Sequence, residues 1–272
     1  MAIVSVCRGT KSGGKAFAEC LADQLGYPVV GREIVQAAAA DLGVSEADLT
    51  RQFEQAPRRW DRQAATRRVY VVGVQAALAE HVATGDLVYH GLAGQVLLRG
   101  LPAVLRTRLV APVAARVRTL VEHDGMTQDA AERHIREVDA GRARWVKMMY
   151  GERIDDPALY DVVINLATMS IGAACALTAA TLRQPEFAVT EEVRAALENF
   201  RLACRVKRAL VTAPDTRGLP LEVVAHAGIV EVSGSAPLLS TGETGDRIAE
   251  ISRAVPGVRQ VRLKLQWFDP YP

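Results

Sequence analysis

Two glycines and a lysine near the start of the chain carry the spacing that phosphate chemistry asks for. Gly9-Thr10-Lys11-Ser12-Gly13-Gly14-Lys15 reads Gly-x4-Gly-Lys. Glycines let consecutive backbone N–H groups turn inward onto one set of phosphate oxygens, and a following helix adds its positive end. Lys15 then serves as a mobile charge for the β- and γ-phosphates. After that lysine the general pattern asks for Ser or Thr, whose hydroxyl holds Mg²⁺; here Ala16 follows. The expected nucleotide contacts are therefore Gly9, Thr10, Ser12, Gly13, Gly14, Lys15 and Ala16, with Mg²⁺ held without a loop hydroxyl. The structural alternative is a glycine-rich turn that only opens a helix.

The neighbouring elements place this loop. Ala2–Cys7 is a short apolar run with β-branched residues, which predicts a buried strand. Phe17, Leu21 and Leu25 share one helical face after the loop. Further along, helices are expected over Arg32–Leu42, from Ser45-x-x-Asp48, over Arg58–Thr84, Pro112–His123 and Thr127–Tyr150. Buried strands are expected at Asp86–His90, Val104–Val110 and Val162–Asn165. Strands alternating with helices up to about residue 183 predict a parallel sheet with helices on both faces. The basic cluster Arg58, Arg59, Arg62, Arg67, Arg68 reads first as a solvated helix face and second as an anion-binding one.

The character changes near Gln184. Residues 184–199 read as a linker and the start of a helix, and 200–272 as a small α+β module. Its strands are expected at Leu221–His226, Ile229–Ser233 and Val258–Trp267, with a helix over Asp246–Ala254 and a tight turn at Ala227-Gly228.

Composition narrows the function classes. The 272 residues are 49% hydrophobic, which excludes global disorder, and the net charge of +2 gives no argument for a nucleic-acid partner. Cys7, Cys20, Cys175 and Cys204 are scattered without metal-ligand spacing. They read as buried thiols in a reducing compartment. With the first apolar run cut short by Arg8, no leader is read and a cytoplasmic location is expected. Val162–Leu182 is uncharged and long enough to span a bilayer, but Ser170 caps a helix in its middle, so a strand and a packed helix are expected instead.

Residues 1–183 resemble the cytidylate kinase-like family of P-loop nucleoside monophosphate kinases. The resemblance rests on Arg8–Lys15, Gly91–Leu98, Arg108–Pro112, Glu137–Arg144 and Asp155–Asn165. It implies an α/β fold with a helix-flanked parallel sheet, ATP and Mg²⁺ as cofactors, and Arg142 and Arg144 as lid arginines beside Lys15 in catalysis. Residues 200–268 resemble a BON domain through Val230–Gly234 and Val255–Val261. That implies a protein or membrane-surface partner. The acceptor side departs from the family pattern: His90-Gly91-Leu92-Ala93 stands where an Asp-Gly-Arg-Asp is usual, and Gly31 where an aspartate is usual. Leu92 cannot grip a phosphate. Three readings follow: a phosphotransferase with an atypical acceptor, a degenerate kinase that senses a nucleotide, or an interaction protein acting through its C-terminal module.

Overall fold

A computed structural model describes residues 2–54, 64–91, 93–237 and 241–268. Leu92 and the basic residues Arg58, Arg59 and Arg62 lie outside the described residues. The chain folds into two compact units. One comprises Met1–Val35, Ser45–Trp60 and Gly85–Val189; the other comprises Gln36–Val44, Asp61–Thr84 and Thr190–Pro272.

The first unit is built on a five-stranded, wholly parallel sheet. Its strands are β1 (Ile3–Arg8), β2 (Val29–Val30), β3 (Leu87–Tyr89), β4 (Val104–Val110) and β5 (Val162–Asn165), in the order β2-β3-β1-β4-β5. Parallel strands are buried on both faces and read as continuous apolar runs, which is how β1 and β4 were legible. Helices α1 (Gly14–Leu25) and α8 (Ile171–Leu182) share a core with them through Val4, Val6, Phe17, Leu21, Leu109 and Ala179. β1 lies between β3 and β4, so its C-terminal end opens where successive strands run to opposite sides, the usual place for a ligand crevice.

Local signals set the helix starts. Ser170 Oγ accepts from the Ala173 N–H and caps α8, which divides the long uncharged stretch as expected. Thr127 caps α7 (Gln128–Tyr150) in the same way, and Ser45 Oγ accepts from the Asp48 N–H at the start of α3 (Glu46–Glu54). The hairpin of α6 (Val113–Asp124) and α7 has its own small core of Val117, Leu120, Ala131 and Ile135. No helix among the described residues is long and apolar enough to cross a membrane.

The second unit contains α4 (Ala64–Val82), α9 (Glu191–Thr212), β6 (Leu221–His226), β7 (Ile229–Pro237), α10 (Thr241–Arg253) and β8 (Gln260–Phe268). β7 pairs antiparallel with β6 and parallel with β8. Ala227 and Gly228 both take positive φ, 47° and 80°, as a tight hairpin turn requires. Val206, Leu210, Val223, Val230, Val232 and Ile248 form its core. Helix α4 packs on α9 through Ala76, Ala79 and Cys204, and Glu80 accepts twice from Arg205 at 2.5 Å. The expectation of a solvated basic face fails at its two described positions. Arg67 is buried and Arg68 donates to the carbonyl of Leu221, because the helix that carries them is built into this unit.

Candidate nucleotide-binding site

The glycine-rich loop runs directly from β1 into α1. Ser12 closes it: both its N–H and its Oγ donate to the carbonyl of Gly9, at 3.3 and 2.9 Å. Gly13 takes φ +80° immediately before α1, a conformation that costs an L side chain about 1–2 kcal/mol. Lys11 also takes a left-handed φ, 57°, and its Nζ sits 2.9 Å from Asp124 at the end of α6.

The α6–α7 hairpin is fastened to the same loop by a second, more buried contact. Thr10 donates from both its N–H and its Oγ1 to Asp139, each at 2.9 Å. Arg116 Nε donates to the Thr10 carbonyl at 2.6 Å, and its guanidinium pairs with Asp139. The Arg116 side chain is only 9% exposed and lies 3.1 Å from where a Cβ on Gly9 would stand. Burial alone would raise the Asp139 carboxyl, but the Thr10 amide and Arg116 outweigh it and hold it below the usual carboxylate range.

Around the loop lies an open cavity of about 910 Å³, within the 300–1,000 Å³ typical of small-molecule sites. Thr10 to Ala16 line it, together with Arg8, Glu19, His90 and Arg142. His123 and His134 from the hairpin face it as well. Lys15 is 82% exposed and stands 3.7 Å from Glu19 on α1. Arg142 enters the cavity and donates to Thr10 Oγ1 at 3.4 Å. Arg144 is not brought in. Two helical positions turn a side chain by about 200°, and Arg144 is exposed outside this cavity.

Three functional candidates escaped the sequence reading. Arg8 ends β1, and its Nε donates to His90 Nε2 at 2.5 Å. Burial, then the charges of Arg8, Arg142 and Lys15, push His90 down to about 4. Arg116 and Asp139 make the loop brace; Asp139 lay inside a quoted motif, while Arg116 gave no signal beyond an arginine in a helix. On the acceptor side, a Cβ on Gly31 would stand 2.6 Å from the His90 carbonyl oxygen. The backbone thus closes the position where an aspartate is usual.

A profile of the cytidylate kinase-like family matches residues 3–168, well over half of the chain. The chain belongs to the cytidylate kinase-like family. Among solved structures, an uncharacterized protein from Eubacterium ventriosum aligns with a TM-score of 0.51 and 15% identity, over 66% of this chain and 97% of that one. That similarity speaks for the fold. A gluconokinase from Sinorhizobium meliloti aligns with a TM-score of 0.39 and 13% identity, over 66% of this chain and 91% of that one. A shikimate kinase from Acinetobacter baumannii in complex with shikimate gives 0.39 and 13%, over 67% and 92%. No curated protein matches the sequence significantly. Family and strand order together give a nucleotide-binding, kinase-type α/β fold, followed by a small mixed sheet.

Proposed function

We propose that the protein is an ATP-dependent phosphotransferase of the nucleoside monophosphate kinase fold with an atypical acceptor site. The observation that carries this reading is the single cavity holding the glycine-rich loop, Lys15 and Arg142. Phosphoryl transfer needs little covalent help from the protein; it needs alignment and positive charge around the transferred group. The amides of Gly13 to Ala16, at the start of α1, cradle the phosphates. Lys15 swings from Glu19 onto them, which costs little because an exposed ion pair is worth at most about 1 kcal/mol. Arg142 and Arg8 neutralise charge on the phosphoryl group in flight. In this reading Lys15 and Arg142 act on the phosphoryl group from within the cavity, and Arg144 takes part only if α7 moves, because it stands outside the cavity.

Among the described residues no cluster of three His, Cys, Asp or Glu side chains is disposed to hold a metal ion. Ala16 offers no hydroxyl. Magnesium retains waters and binds readily to substrate phosphates, so it would arrive with ATP, held by phosphate oxygens and water. Its contribution there is neutralisation of phosphate charge.

The close approach of Gly31 to His90 favours a second reading, a nucleotide sensor whose acceptor side has closed. In that reading the C-terminal unit passes on the bound state. Its order α9-β6-β7-α10-β8 supports the BON-like resemblance and, through it, a protein or membrane-surface partner. Calorimetric titration with ATP and Mg²⁺, on wild type and Lys15→Ala in parallel, tests both. Micromolar binding lost in the variant supports a donor site, and no binding to either protein ends both readings. ADP release on adding an acceptor then separates enzyme from sensor.

A further inference from the structure

Lys15, Ala16 and Glu19 line the P-loop cavity from the first turns of α1, and all three are exposed. Position 19 is one helical turn beyond 15 and 16. The three side chains therefore share a face, with about 5–6 Å between Cβ atoms at this spacing. Helical side chains lean back toward the N-terminus, in keeping with the 3.7 Å between Glu19 Oε1 and Lys15 Nζ. The Glu19 carboxylate thus covers the turn in which a hydroxyl at position 16 would stand.

Glu19 is also the one carboxylate among the described residues that line this cavity. Two other acids touch the loop, and both are committed: Asp139 to Thr10 and Arg116, and Asp124 to Lys11. In a site for a polyphosphate, a carboxylate repels the ligand unless a cation stands between them. Once Lys15 turns to the phosphates, Glu19 faces them as an unanswered negative charge one turn away. Mg²⁺ binds through one or two carboxylates together with substrate phosphates and water. Glu19 and ATP supply that donor set between them.

We infer that Glu19 holds the Mg²⁺ of bound ATP, in place of the hydroxyl that Ala16 lacks. The inference rests on the phosphotransferase reading above. Lys15 and Glu19 form an exposed ion pair that is ready to part, with Lys15 going to phosphate oxygens and Glu19 to the cation that ATP brings. Each charge exchanges one partner for another, so neither is left alone. If Glu19 served only to restrain Lys15, the two forms of ATP, with and without metal, would respond alike to its loss.

The test is calorimetric titration of full-length protein with ATP plus Mg²⁺ and, separately, with ATP plus EDTA. Wild type should bind the magnesium form more tightly. Glu19→Gln keeps the side-chain size and removes the charge. It should weaken the magnesium form by about 10-fold, the size of one hydrogen bond to a charged group. Metal-free ATP should bind Glu19→Gln as well as wild type or better, since the repelling carboxylate is gone. Adding Ala16→Thr to Glu19→Gln supplies the missing hydroxyl and should restore the preference for the magnesium form. Melting temperatures should stay close to wild type, because both positions are exposed. An equal loss of both forms in Glu19→Gln overturns the inference, as does an unchanged affinity for the magnesium form. So does a wild type that binds both forms equally, or an Ala16→Thr addition that restores nothing. If wild type binds neither form, the phosphotransferase reading itself is overturned.

Discussion

Arg8 Nε donates to His90 Nε2 across 2.5 Å, joining the end of β1 to the residue that follows β3. Because Nε2 accepts, the imidazole keeps its proton on Nδ1 and is neutral. Burial and the positive charges around it place its pKa at about 4, against an ordinary 6.5. The pair therefore places a guanidinium at the P-loop cavity without adding a second charge.

A pH dependence follows from this pair. Between pH 6.5 and 4 the unfolded chain takes up a proton that the folded His90 refuses. Stability is full above that window and lost as pH falls through it, by up to about 3 kcal/mol for a shift of this size. His90→Gln retains an acceptor for Arg8 and removes the titration. Thermal melts at pH 7, 5.5 and 4 should show a smaller decline for His90→Gln than for wild type. Parallel declines would refute the assignment.

The brace on Thr10 predicts a joint loss of stability and affinity. Asp139→Asn keeps the side-chain size but removes the charge that answers the buried Arg116 guanidinium. Hydrogen bonds to charged groups contribute about 1.5–3 kcal/mol, so the unfolding free energy should drop by that amount, read as a lower urea midpoint with an unchanged slope. ATP affinity should weaken with it, since the loop loses its anchor. An unaltered midpoint and affinity would mean that the hairpin does not hold the loop.

Gly14→Ala separates a collision from a backbone effect. Its Cβ would land 2.1 Å from Arg8 Cδ, while alanine in the first turn of a helix is by itself favourable by up to about 1 kcal/mol. The expected outcome is at least a 10-fold loss of ATP affinity with little change in melting temperature. Full affinity in the variant would show that Arg8 does not serve the nucleotide.

In the second unit, Gly234 sits in β7 at φ +146°, and a Cβ there would stand 2.4 Å from the Pro220 carbonyl oxygen. Neither strain nor collision can relax through a side chain. Gly234→Ala should cost about 2 kcal/mol or more. Hydrogen exchange is the measurement: protection should fall along β6 and β7, which pair from Leu221 with Gly234 to His226 with Ile229. Unchanged protection would contradict the close approach.

Much of the local structure was legible. The expected bounds of β4, β5, β6 and α2 (Arg32–Leu42) coincide with the observed ones. Thr127, Ser170 and the Ala227-Gly228 turn act as their residue types suggest. The small helix α5 (Gly94–Leu97) was not legible, because four residues give no period to read. Within the site, the spacing found the loop but gave Arg142 and Arg144 equal standing, and it passed over Arg8 and Arg116.

The sequence by itself determined which segments are strands and helices, where several of them start, and that a phosphate-type loop follows the first strand. Those features depend on neighbours a few residues away, through side-chain period, capping hydroxyls and glycine's access to positive φ. Only the tertiary structure decided which charges meet. Arg116 and Asp139 reach Thr10 from 106 and 129 residues along the chain, and Arg8 reaches His90 from 82 residues away. It also decided that α4 packs on α9, with Ala76 and Ala79 against Cys204. An apolar helix face states that it will be covered, but not by what, since burial is non-directional.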